Sequence, residues 1–442
     1  MVDRSRRDVL KFSGALLGGI AVGSTVTAAE SSDRFLLEAK KRSVSDVEAD
    51  GLDVVFDLSE TGYFLVEGAE KDLQRTKGKY APDIELSFDG GVKRVDADVD
   101  APSATDEPLY GYQWDKQAQR IPEAHETTRG EGARVAIIDS GVDAAHPDLG
   151  HAVDEELSRN FTGDGQGAAN AAGGYHGSHV GGIVAANDQN EKGVVGTAPG
   201  ADLVDCRVFT ESGGGSFGIV LAAVAYSAQI DADVANLSLG AYPVPRQELG
   251  SFYGKALNSV MTHANSQGTL LTISTGNDAA DLQHDKNFIS IPNEGAQAVG
   301  VSATGPVGFG WGGDGLEAPF DSPANYTNYG TNAVTLSAPG GDYDPAFPTG
   351  WYYDMVLNTI SEPEFDENGD YMGSAPDYSW IAGTSMAAPQ VAGAAALVKS
   401  AAPEMSANQV ESLLKRTATD GTGGKEYHGS GFVDPVGALK EL

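Results

Sequence analysis

A chain of 442 residues leaves room for a full domain plus a smaller one, and its 40% hydrophobic and 21% charged content excludes wholesale disorder. Lys plus Arg total 29 against 63 Asp plus Glu, a formal net charge of -34 that sets aside nucleic-acid phosphates and anionic lipid heads as partners. The acidic residues are spread through all regions, which predicts adaptation to concentrated salt, where a Debye length of ~3 Å at about 1 M removes self-repulsion; a merely soluble acidic protein is the alternative.

In chain order, residues 5–11 read Ser-Arg-Arg-Asp-Val-Leu-Lys, and a small-residue apolar stretch over 12–26 follows. This resembles a twin-arginine export signal. The stretch is short and holds Gly14, Gly18, Gly19 and Gly23, so cleavage after about Ala28 or Ala29 is expected rather than anchoring. Apolar runs at Phe35-Leu36-Leu37, Val54-Val55-Phe56, Tyr63-Phe64-Leu65-Val66 and Ile84-Glu85-Leu86-Ser87-Phe88, separated by charged helical stretches, predict a small α+β unit. Residues 96–108 are acidic and proline-containing, with little to bury, and read as a linker.

Beyond the linker, strands are predicted at 134–139, 203–209, 234–239, 270–274 and 299–303, with helices at 219–229 and 253–265 between them. Such alternation implies an α/β domain with a parallel sheet covered by helices on both faces. The lone Cys206, inside the run 203–209, cannot form an intramolecular disulfide and reads as a small buried hydrophobe. Residues 340–377, rich in Asp, Glu, Pro and aromatics, break the pattern and read as a surface insertion.

Three segments carry chemistry. Val135-Ala136-Ile137-Ile138-Asp139-Ser140-Gly141 ends an apolar run in an aspartate, at the carboxyl end of a strand where open α/β sheets bind ligands. Alone it fits a ribose-binding or metal-binding aspartate equally. Tyr175-His176-Gly177-Ser178-His179-Val180-Gly181-Gly182 leads into an apolar helix; its histidines are a general base and a structural partner, or two ligands of a zinc ion whose third ligand is not evident. In Gly383-Thr384-Ser385-Met386-Ala387-Ala388-Pro389, small residues crowd a serine at a helix start, so that a substrate backbone can approach; an ordinary N-cap is the bland reading.

Taken together and in this order, Asp-Ser-Gly, His-Gly-Ser-His and Gly-Thr-Ser-Met-Ala-Ala-Pro resemble the subtilisin-like serine proteases, over nearly everything from residue 108 to 442. The resemblance implies a doubly wound, mostly parallel sheet at 106–442, an export signal at 1–29, and an inhibitor-like propeptide with its linker at 30–105. It implies Ser385 as nucleophile, His176 as base, Asp139 as its orienting partner and Asn277, in Ser274-Thr275-Gly276-Asn277, as an oxyanion donor. Ser238, Leu239 and Gly240 match the edge of the first specificity pocket, whose far wall lies near residues 290–292. Gly214 and Gly215 match the edge that pairs with extended substrates, so broad specificity follows. Structural Ca2+ is implied at Asp148 and the loop 187–194, with Asn190 the side-chain ligand there and Asp188, Lys192 and Val194 completing the set. The acidic run 366–370 lacks a closing glutamate and reads as solvated surface. Cleavage of the propeptide is expected within or just after the linker. The protein is expected to be a secreted monomer acting on protein and peptide substrates, with no nucleic-acid or membrane partner. Ser178 and Gly181 stand where the family has Thr and Ala, a small change expected to leave His176 usable.

Two other readings are open from the residues. An α/β-hydrolase esterase would use Ser385 with Asp420 and His428, but Ala387 replaces the glycine its nucleophile elbow needs and no strand is evident before Ser385. An inactive, protease-like binding protein would retain the fold without the chemistry.

Overall fold

The computed structural model describes residues 26–28, 33–87, 93–96, 107–308 and 316–442. The twin-arginine motif and most of the linker lie outside these. No helix among the described residues is long and apolar enough to cross a membrane.

The N-terminal unit contains β1 (Val26–Ala28), β2 (Arg34–Glu38), α1 (Val44–Glu48), β3 (Asp53–Leu58), β4 (Tyr63–Glu67), α2 (Glu70–Leu73), β5 (Tyr80–Pro82) and β6 (Ile84–Ser87). An antiparallel sheet in the order β3-β4-β2-β5 makes this the expected α+β unit. Strand periodicity explains why β4 is apolar on both faces. Phe64 and Val66 bury with Val47 and Leu73 in the unit's own core, whereas Tyr63 and Leu65 point the other way into the core of the large domain. The short strand β7 (Lys93–Asp96) follows.

The large domain begins with α3 (Trp114–Ala118) and α4 (Ile121–Ala124), then β8 (Arg134–Asp139), β9 (Arg159–Asn160), α5 (His176–Ala185), β10 (Asp202–Arg207) and β11 (Gly214–Ser216). It continues through α6 (Phe217–Gln229), β12 (Val234–Leu237), β13 (Ala241–Pro245), α7 (Arg246–Gln267), β14 (Leu270–Ser274) and β15 (Phe288–Ile291). Next come β16 (Ala298–Thr304), β17 (Leu336–Pro339), β18 (Val356–Phe365), β19 (Tyr371–Ala382) and α8 (Thr384–Ala401). Helix α7 starts before the predicted 253–265 because its apolar periodicity becomes evident only at Tyr253.

Seven strands form the central sheet in the order β17-β16-β14-β12-β8-β10-β9, and every pairing is parallel. Both faces are covered, which is why its strands are continuous apolar runs. Along β8, Val135 and Ile137 join the core shared with α5 and α8, and Ala136 and Ile138 join the core shared with α6 and α7. The chain fills β9 and β10 on one side of β8 and then runs outward from β12 on the other, so the crevice beyond the carboxyl ends of β8 and β12 is the switch point at which such sheets bind ligands.

The expectation for residues 340–377 is corrected. From residue 356 the segment is an antiparallel hairpin, β18 with β19, rooted in the core: Val356, Leu357, Ile360, Trp380 and Ile381 are buried. A Cβ on Gly182 of α5 would lie 2.1 Å from Thr359 Oγ1, so the hairpin seats on that helix only because residue 182 has no side chain. The aspartates and prolines of the outer half are solvated and hide a strand from composition. Its 366–370 tip is the solvated surface expected, apart from half-buried Asp366.

Candidate active site

Asp139 is the last residue of β8. Its Oδ1 accepts from the Ser140 amide at 2.7 Å and from His176 Nδ1 at 2.8 Å, and both side chains are buried. Donation from Nδ1 selects the tautomer in which Nε2 is the basic nitrogen. His176 opens α5, and a Cβ on Gly177 would stand 2.4 Å from the Gly141 carbonyl, so only glycine lets this helix begin against the turn after Asp139. His179 is fully buried, donates through Nε2 to the Ser379 carbonyl at 3.1 Å, and has its pKa pushed down to about 3, chiefly by burial. The two histidines therefore take different partners, and His179 has the structural role.

Ser385 sits in the first turn of α8, where backbone N–H groups lack intrahelical acceptors. Pro389, four residues on, cannot donate to the Ser385 carbonyl; the Ser238 hydroxyl donates to it instead at 2.7 Å. In return Ser385 Oγ donates to the Ser238 carbonyl at 3.2 Å. This exchange explains why β12 stops at Leu237 rather than running to 239. Asn277 follows β14, and its Oδ1 accepts from both the Thr384 amide and the Thr384 hydroxyl at 2.9 Å, so its orientation is set by the residue before the serine. The Nδ2 group is left as the available donor. Thr384 is a functional neighbour that sequence reading missed.

The edge Gly214–Ser216 is occupied by the chain's own β6, antiparallel, with Gly214 opposite Ser87 and Gly215 opposite Leu86. Leu239 is buried, and Gly240 leads into β13, where Ala241 pairs with Ile291. Residues 290–292 thus come to the expected side of this edge. On the other flank, β7 pairs antiparallel with β19, Lys93 opposite Ala382 and Arg94 opposite Ile381.

Of the expected ion ligands, Asp148 and Asn190 are brought together: Asn190 Nδ2 donates to Asp148 Oδ1 at 2.8 Å, and Val194 N and Tyr378 OH donate to Oδ2 at 3.2 and 3.1 Å. Burial pushes the Asp148 pKa up. The Asp188 carboxylate points elsewhere, paired with Arg129 and near His125, so only its carbonyl is left for the loop. Lys192 enters through its main chain, donating from N to Glu107 Oε2 at 2.7 Å. Glu107, fully buried, also accepts from the amides of Asn190 and Glu191, each at 3.1 Å. It was not singled out in the sequence because it closes a linker full of acidic residues. Among the described residues, no group of three or more His, Cys, Asp or Glu side chains is gathered for a metal.

The esterase reading needs one correction: a strand, β19, does precede Ser385, but it belongs to the hairpin and not to the parallel sheet. His428 is engaged by Ser337 Oγ at 2.7 Å and the Thr422 carbonyl at 2.8 Å.

The sequence profile of the subtilase family, peptidase S8, matches residues 130–433. An alkaline protease of Alkalihalobacillus alcalophilus is 30% identical over 440 residues, covering 97% of each chain. Halolysin of Haloferax mediterranei is 27% identical over 423 residues, 95% of this chain and 69% of its own. Among solved structures, a protease from Pseudoalteromonas arctica superposes with a TM-score of 0.61 at 29% identity, covering 77% of this chain and 99% of its own. The chain belongs to the subtilase family and is a serine protease of the subtilisin type.

Proposed function

We propose that the protein is a secreted endopeptidase of broad specificity, made as a self-processing precursor, with Asp139, His176 and Ser385 as its triad. The bond from His176 Nδ1 to Asp139 Oδ1 at the sheet's switch point carries this reading. Ser385 Oγ attacks the scissile carbonyl carbon and its proton passes to His176 Nε2. Asn277 Nδ2 and the Ser385 N–H stabilise the oxyanion, and His176 returns the proton to the amine as the carbon–nitrogen bond breaks. Water then repeats the sequence on the acyl-enzyme.

The N-terminal unit acts as an intramolecular inhibitor: β6 lies along Gly214–Ser216 as a substrate strand would, by β-strand addition. Because β7 lies on the opposite flank, the self-cleaved bond falls between Ser87 and Lys93, earlier than the linker. A calcium ion near the loop would draw on oxygen donors alone: the Asp148 carboxylate, the carbonyls of Asp188, Lys192 and Val194, and the Asn190 amide oxygen, which here accepts from the Lys192 N–H while its Nδ2 faces Asp148. Its chemistry there is structural. The arginine pair at the N-terminus supports export through the twin-arginine route, and the name of one relative, a halolysin, together with the net charge of -34, supports activity in salt.

The test is expression of the precursor and of Ser385→Ala in high salt with calcium, followed by intact mass with and without a serine-directed phosphonate. Loss of the N-terminal unit and labelling in the wild type alone are expected. An intact, unlabelled wild type would leave the inactive-binder reading in its place.

A further inference from the structure

Strand β7 joins the active-site end of the hairpin. Its partner Ala382 stands three residues before Ser385, and its first residue follows Ser87 by no more than ~20 Å of extended chain. The strands before and after residues 88–92 therefore pair with β11 and with β19, and β19 leads through Gly383 into the helix that carries Ser385. Once β7 departs, β19 at 379–382 presents an open strand edge beside the catalytic serine.

The second residue of β7 enters a defined environment. The Arg94 guanidinium lies 4.1 Å from the centre of the Tyr175 ring, the residue before His176. It pairs with the carboxylate of Glu362 on β18, and its Nε donates to Ser379 Oγ at 3.3 Å. An aromatic face, a carboxylate and a hydroxyl are the elements that recognise a guanidinium or an ammonium.

We propose that β19 binds substrate residues C-terminal to the cleaved bond by strand addition, and that Tyr175, Glu362 and Ser379 form a subsite there for an arginine or lysine side chain. The subsite deepens the endopeptidase reading and rests on it; Arg94 is its occupant in the precursor. Glu362 supplies the charge selection and Tyr175 the surface on which the cation lies. With side-chain exposures of 22% for Arg94 and 46% for Glu362, the ion pair is partly screened, so the expected preference is about fivefold, from the ordinary strengths of an exposed ion pair and a cation–π contact.

The experiment uses the processed enzyme at one fixed salt concentration and internally quenched peptides sharing one N-terminal half. Arginine, alanine or glutamate is placed in turn at each of seven positions after the cleaved bond, which covers Arg94 wherever the bond falls between Ser87 and Lys93. At one position kcat/KM is expected to be about fivefold higher for arginine than for alanine, and lower for glutamate. Glu362→Gln should remove that gap, and Glu362→Lys should reverse it toward glutamate. Equal rates for arginine and alanine at every position overturn the subsite, as does a preference that survives both variants. An equal preference for arginine at all seven positions overturns it too, because that is the signature of the net charge alone. If no peptide is cleaved and the enzyme resists the phosphonate, the endopeptidase reading fails first and the subsite with it.

Discussion

Asn277 and Thr384 are far apart in sequence, yet two hydrogen bonds fix the orientation of the amide proposed as the oxyanion donor. Asn277→Ala should lower kcat by roughly 10² to 10³, the loss measured on a subtilisin for this type of donor, with KM little changed in peptide hydrolysis. Thr384→Val keeps the amide bond and loses the hydroxyl one, so a smaller fall is expected. His179 sets a pH dependence of stability. Its folded pKa of about 3 lies below the ordinary 6.5, so the unfolded chain takes up the proton first as pH falls. Its contribution is complete above about pH 6.5 and is lost below it. Relative to His179→Gln, the wild type should lose about 2 kcal/mol of unfolding free energy between pH 7 and pH 5, measured by urea titration at each pH.

At the scale of elements, the β18–β19 hairpin divides into a buried root and a solvated tip. Trp380 is buried among Tyr112, Tyr352 and Tyr353, with ring centres 5.1 to 6.1 Å away. Trp380→Ala should cost about 3–5 kcal/mol by thermal or chemical unfolding, the range for an emptied aromatic site. Replacing residues 366–370 by Asn-Gly, which joins Phe365 to Tyr371 through a two-residue turn, should leave peptide hydrolysis within about twofold. A large loss of activity from the tip replacement would contradict the division.

For the whole molecule, a net charge of -34 and a buried Asp148 whose hydrogen-bond partners are neutral donors are the grounds for the proposed dependence of stability on ions. Lowering salt should depress the melting temperature steadily, with recovery on adding KCl, because self-repulsion grows with the Debye length. Calcium should raise it further, through a gain of about 2.7 kcal/mol in unfolding free energy at a hundredfold excess over Kd, and Asp148→Asn should abolish that response. A melting temperature indifferent to calcium would remove the ion from the proposal.

The catalytic segments were legible from sequence because each needs close backbone approach within a few consecutive residues. Gly177 against Gly141, and the small residues around Ser385, leave a local imprint that no distant contact can disguise. The parallel sheet was legible for a related reason, since strands covered on both faces must be continuous apolar runs. What joins distant segments left no such imprint. Glu107 looks like any acidic linker residue until its carboxylate meets the amides of 190–192, and the hairpin looks like a loop because its outer half faces water. The strands β6 and β7 are held to the large domain by pairing with β11 and β19, contacts set by the packed domain. Local chemistry was therefore determined by the residues themselves, and the paths of chain and substrate by tertiary structure, because hydrogen-bonding edges recognise any backbone that reaches them.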